Sequence, residues 1–95
     1  MIDYKNPHLV MLFFEQIQPH NKAKNEQSFI QQMAYYEMLR SNGKVTMTGD
    51  LYNQHKFFVI VNVSCDSELE DILGNDPAIK QNVCELVRAM PFVEV

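Results

Sequence analysis

Glycine is scarce in this sequence, with three residues in ninety-five. None sits in a run able to cradle a phosphate, and no Gly-x-Ser-x-Gly elbow is present, so the commonest nucleotide and serine-hydrolase signatures are excluded. Cysteine is scarcer still. Cys65 and Cys84 lie far apart in no Cys-x-x-Cys unit, which reads as two free thiols in a reducing compartment. Basic residues are outnumbered, eight Lys and Arg against twelve Asp and Glu, for a net charge of −4. That balance excludes the phosphate-neutralising surface a nucleic-acid partner needs. It equally disfavours an anionic membrane surface. The three histidines, His8, His20 and His55, share no metal-ligand spacing, so neither a metal nor a cofactor is expected. The apolar run from Leu9 to Phe14 is too short for a signal peptide, and no stretch approaches a membrane span. Repeats, low-complexity tracts and linkers are missing. The expectation is one cytoplasmic domain over residues 1–95, binding neither nucleic acid nor membrane.

What is present is a well-patterned core, 46% of the residues being hydrophobic. That content rules out a disordered chain. "HLVMLFFE" from His8 is apolar on both faces, as in a strand buried on two sides. After a polar stretch with a proline comes a long helix, "SFIQQMAYYEMLRSNG", closed by Gly43. Its expected buried stripe joins Phe29, Ile30, Met33, Ala34 and Tyr36, widened by Tyr35, Met38 and Leu39. "KVTMTGD" alternates with one polar face. "KFFVIVNV" from Lys56 places Phe57, Val59, Val61 and Val63 on one side and Phe58, Ile60 and Asn62 on the other. Ser67 and Glu70 stand at capping-box spacing. Asp76 before Pro77 predicts a second helix start. "CELVRAMPFVEV" closes the chain as a strand carrying Pro91.

The element order β, α, β, β, α, β predicts an α+β, ferredoxin-like βαββαβ fold with a four-stranded antiparallel sheet. Its first and third strands are central, and these are the two that are apolar on both faces. Its fourth is an edge, where a proline is tolerated. Both helices of this topology cover one face, so Phe58, Ile60 and half of the first strand would meet water. An apolar patch of that kind usually marks an interface, and the simplest partner is a second copy packed sheet on sheet.

The segment "QMAYYEMLRSNGKVTMTGDL", the Ser-Glu-Leu start at Ser67, the Asp76–Pro77 pair and the final Pro91–Phe92 together resemble YciI-like (YCII-related) proteins of the dimeric α+β barrel superfamily. Muconolactone-isomerase-like proteins share that architecture. The resemblance covers nearly the whole chain and implies a homodimer. It also implies a histidine about three turns before the closing glycine, paired with an acidic residue. Here that position holds Gln32, which can hydrogen-bond but cannot exchange a proton near neutral pH. Only the acidic side, Asp76, remains.

Two readings therefore stay open. In the first, the protein binds a small molecule in the cleft between the long helix and the sheet, through Gln32 and Tyr36, with Arg88 as an anion-binding charge. In the second, it is a small-molecule lyase or isomerase resembling muconolactone isomerase, with His20 or Asp76 as acid or base. Each residue also has a plainer role. His20 reads as a solvated loop histidine, Asp76 as a helix cap, the tyrosines as core or interface residues and Arg88 as an edge-strand charge. A pocket holding a charged group would favour the enzyme, and a helix face closed by packing would favour a binding module.

Overall fold

The structure is a computed structural model that describes residues 8–17, 22–51 and 56–93. Strand β1 (His8–Gln16) leads to helix α1 (Lys22–Ser41), strands β2 (Val45–Leu51) and β3 (Lys56–Val63), helices α2 (Asp66–Gly74) and α3 (Pro77–Lys80), and strand β4 (Cys84–Phe92). The strands form one antiparallel sheet in the order β2-β3-β1-β4. This is the expected ferredoxin-like α+β fold, with β1 and β3 central. β4 is an edge, so Pro91 needs no ladder partner on its outer side.

Strand register fixes which residues share a face. Val10 is opposite Val61, Leu12 opposite Val59 and Phe14 opposite Phe57. With Val63, Tyr36, Ile72 and Ala78 these residues belong to the main buried cluster or pack directly on it. This is the helix-covered face. Phe14 anchors it, with its ring stacked 4.9 Å from Phe57 and 5.9 Å from Tyr36.

The chain turns sharply at two helix ends, by the same device. After α1, Gly43 adopts φ 78°. Its N–H donates to the Arg40 carbonyl and that of Lys44 to the Leu39 carbonyl. After α3, Asn82 takes φ 58°, its N–H meeting Ile79 O while that of Val83 meets Ala78 O. Both are Schellman closures, which need a left-handed residue that glycine or asparagine tolerates.

Two local expectations are overturned. The capping box at Ser67 does not form. α2 starts two residues earlier, with extended Cys65 at the cap position and no side chain capping it. Ser67 lies inside the helix, where its hydroxyl sits 3.2 Å from the Cys65 thiol. The buried stripe of α1 also differs. Ile30 is 71% exposed, Met33 44% and Met38 52%, while Asn25, Ser28, Gln32 and Tyr36 are buried. The polar row turns inward because it has partners there. Ser28 donates to Gln81, and Gln32 and Tyr36 both donate to Asp76.

The opposite, open face of the sheet carries Leu9, Met11 and Phe13 of β1 beside Phe58 and Ile60 of β3. Most are half-buried, but Ile60 is only 8% exposed, so its sheet neighbours already cover it. The Phe58 ring lies directly over Gly49, in the space a Cβ there would need. A Cβ at that point of β2 would force the Phe58 ring to move.

In β4 the pairing with β1 shifts between Phe13 and Phe14: Phe13 faces Arg88, but Phe14 faces Leu86. Val87 is the extra residue of a β-bulge. Leu86 therefore points to the core and Arg88 to the open face. Regular alternation would have put both on one side.

Candidate functional site

Asp76 is the hub of a buried polar assembly between α1 and the start of α3. Its position follows from local sequence. Pro77 occupies the first helical position with φ preset, and Asp76 is extended as a cap residue should be. Its Oδ1 accepts from the N–H groups of Ala78 at 2.8 Å and Ile79 at 3.2 Å. Its Oδ2 accepts from Gln32 Nε2 at 2.8 Å and Tyr36 Oη at 2.7 Å. Gln32 and Asp76 are both 0% exposed. The carboxylate thus meets four donors, which suits a group that offers acceptors on both oxygens.

The neighbours are held in their protonated forms. Burial first, then the charge of Asp76, pushes the Tyr36 phenol far above its ordinary value. Tyr35 is pushed up to about 12, again by burial before Asp76, and donates to the Ile72 carbonyl at 2.6 Å. Cys84 lies beneath, its Sγ 3.6 Å from Gln32 Nε2. Burial pushes its thiol up to about 11 despite that hydrogen bond, which acts the other way. None of these three groups is a base or nucleophile at neutral pH.

One atom is left over. Gln32 Oε1 is buried and has no hydrogen-bond partner among the described residues. An unmet buried carbonyl costs about 1–3 kcal/mol, which a water or a ligand N–H or O–H would recover.

Arg88, which the sequence pattern groups with Gln32 and Tyr36, lies elsewhere. It lines a cavity of about 260 Å³ on the open face, with Phe13, Phe14, Leu51, Lys56, Val87 and Met90. The sheet separates this cavity from Asp76. The structure therefore brings Gln32, Tyr36 and Asp76 together and does not bring Arg88 to them. His20 and His55 lie outside the described residues, and His8 opens β1. Lys56 and Cys84 do not stand out from the sequence as site residues. Alternation along β3 places Lys56 with Phe58 and Ile60, which is the signal available for it. Cys84 gives none, since its neighbours come together only through the fold. Among the described residues no cluster of His, Cys, Asp and Glu could hold a metal ion, and no helix is long and apolar enough to cross a membrane.

No family model and no curated protein matches the chain. Solved structures do. The chain is similar to 5-chloro-2-hydroxyhydroquinone dehydrochlorinase (TftG) from Burkholderia phenoliruptrix AC1100, solved in complex with 2,5-dihydroxybenzoquinone. The TM-score is 0.62 at 16% identity, over 90% of this chain and 93% of that one. It is also similar to the structural-genomics protein YJCS, with a TM-score of 0.61 at 11% identity over 95% of this chain and 100% of that one. At such identities the likeness is one of fold, and it agrees with the ferredoxin-like α+β architecture read from the strand order.

Proposed function

We propose that this protein is a homodimeric, YciI-like small-molecule-binding protein whose helix–sheet site performs no imidazole acid–base step. The observation that carries this is the Gln32 Nε2–Asp76 Oδ2 contact of 2.8 Å. Position 32 faces the buried carboxylate, as the resemblance requires of a His–Asp pair, but an amide stands there. An amide holds a ligand by hydrogen bonds and moves no proton near neutral pH. Its Oε1 is the open acceptor, and a ligand hydroxyl is the natural donor. The solved complex of TftG, whose ligand is a dihydroxylated quinone, makes hydroxylated six-membered rings the first class to test. The Asp76 side chain already meets four donors and is fully buried, which supports a binding role over that of a general acid or base.

The test is calorimetric titration with a dihydroxybenzene, neutral across the range, between about pH 5.5 and 7.5, where an ordinary imidazole titrates. Affinity should stay flat in the wild type and acquire a pH dependence in Gln32→His. A wild-type inflection near pH 6.5 that vanishes in His20→Ala would refute this reading in favour of a lyase or isomerase using His20.

A further inference from the structure

We infer that the cavity on the open face of the sheet is a second ligand site, built for a small carboxylate with an apolar body; in the sheet-on-sheet dimer it would lie between the two copies. It opens across the sheet from the helix–sheet site, and Phe14, which packs on Tyr36, is the one lining residue that touches both. Phe13, Leu51, Val87 and Met90 supply apolar walls, and Lys56 and Arg88 supply the polar groups. A few fixed charges in an otherwise apolar concavity are the usual composition of a small-molecule site.

Alternation along β3 accounts for Lys56 but not for Arg88. Arg88 reaches this face only because the bulge at Val87 reverses the side on which β4 presents it. Bulges of this sort are local devices that re-aim a side chain. Neither Lys56 nor Arg88 has an ion-pair partner among the described residues. The acids close by in the register are Glu15, opposite Lys56, and Glu85, opposite Glu15, and neither lines the cavity. Two cations without an ion-pair partner among the described residues, over an apolar floor, leave a site whose missing component is an anion. Arginine favours a planar carboxylate, which its guanidinium grips with two hydrogen bonds.

Size narrows the class. About 260 Å³ lies below the roughly 300–1,000 Å³ of drug-sized sites. One ring or a short branched chain fills it, and benzoate is the simplest probe. An inorganic anion would satisfy the cations but leave the apolar walls unused. A neutral ring would do the reverse.

The experiment is an NMR titration of methyl- and amide-labelled protein with benzoate, benzamide and inorganic phosphate. Benzoate should shift Leu51, Val87 and Met90 saturably, with benzamide and phosphate each binding far more weakly. Arg88→Gln and Lys56→Gln, at positions that are not fully buried, should keep the fold. Each should weaken benzoate by about tenfold or more, the loss expected for a charge-assisted hydrogen bond. Equal binding of benzoate and benzamide, phosphate binding as well as benzoate, unchanged affinity in both variants, or the absence of saturable shifts at these residues would each overturn the proposal. Shifts confined to Ile72, Val83 and the Gln32 side-chain amide would overturn it too, while supporting the helix–sheet site. A dihydroxybenzene run in parallel, read at Gln32, reports on that other site alone.

Discussion

Gln32 and Tyr36, one turn apart on α1, donate to the same oxygen of Asp76, at 2.8 and 2.7 Å. The two contacts are chemically alike, yet the residues are not equivalent. Tyr36 has its polar atom satisfied, whereas Gln32 carries the unmet Oε1.

That asymmetry sets the first prediction. Tyr36→Phe keeps the ring against Phe14 and removes only the hydroxyl, so it should cost about 1.5–3 kcal/mol, the loss of a buried hydrogen bond to a charged group. Gln32→Leu removes a similar donor but also deletes the unmet carbonyl, worth about 1–3 kcal/mol in the opposite direction. Ligand-free Gln32→Leu should therefore destabilise less than Tyr36→Phe in urea unfolding. If Gln32→Leu proves the more costly, its carbonyl is satisfied in the free protein and is no open acceptor.

Asp76 concentrates the cost of both. Asp76→Ala leaves the side chains of Gln32 and Tyr36 and the N–H groups of Ala78 and Ile79 without acceptors at once. The expected destabilisation is about 3 kcal/mol or more, since a lost cap alone costs about 0.5–2 kcal/mol. Thermal unfolding of the variant beside Asp76→Asn, which retains one acceptor oxygen, separates the cap from the pair with α1. A loss for Asp76→Ala no larger than that for a lost cap would show that Gln32 and Tyr36 gain little from this carboxylate.

Much of this arrangement is legible in the amino-acid sequence. Pro77 marks the cap at Asp76, Gly43 the end of α1 and Pro91 the edge strand, while alternation separates the two faces of β3. The inward side of α1 is not legible. Counting apolar residues favours Ile30, Met33 and Met38, yet the row that turns inward is polar, because its partners come from α3 and its surroundings, forty or more positions away in sequence. The expectation that Arg88 binds an anion rests on its apolar strand alone, which says nothing of its neighbourhood. A bulge depends on both strands of a pair, so β4 alone does not reveal one at Val87.

Buried Cys84 and half-buried Tyr35, both held protonated, predict an alkaline loss of stability. Cys84 is raised from 9.0 to about 11 and Tyr35 from 10.0 to about 12. Above these ordinary values the unfolded chain loses its protons first. It then binds fewer than the native state, and stability falls as pH rises. The contribution should be fully present below about pH 9 and disappear through about pH 12, and Cys84→Ala should remove the earlier part of the decline. Melting temperatures measured between pH 8 and 11.5 check this, and a flat curve in the wild type would contradict it.

The final prediction concerns the open face. If two copies pack sheet on sheet, light scattering at micromolar concentration should give twice the mass of one chain. A charge at Met47 should break the pair. Met47 lies on edge strand β2 opposite Ile60 and is 51% exposed, so Met47→Lys should leave the protomer folded by circular dichroism while halving the mass. Ile60→Lys is a different experiment. Ile60 is only 8% exposed within the protomer, and an unpaired charge placed there costs the fold itself several kcal/mol, roughly 3–5 for a buried one. A monomeric wild type would sink the dimer. A dimer that survives Met47→Lys would instead point to the outer face of α1, where Ile30 and Met38 stand exposed, and Ile30→Glu would then dissociate it.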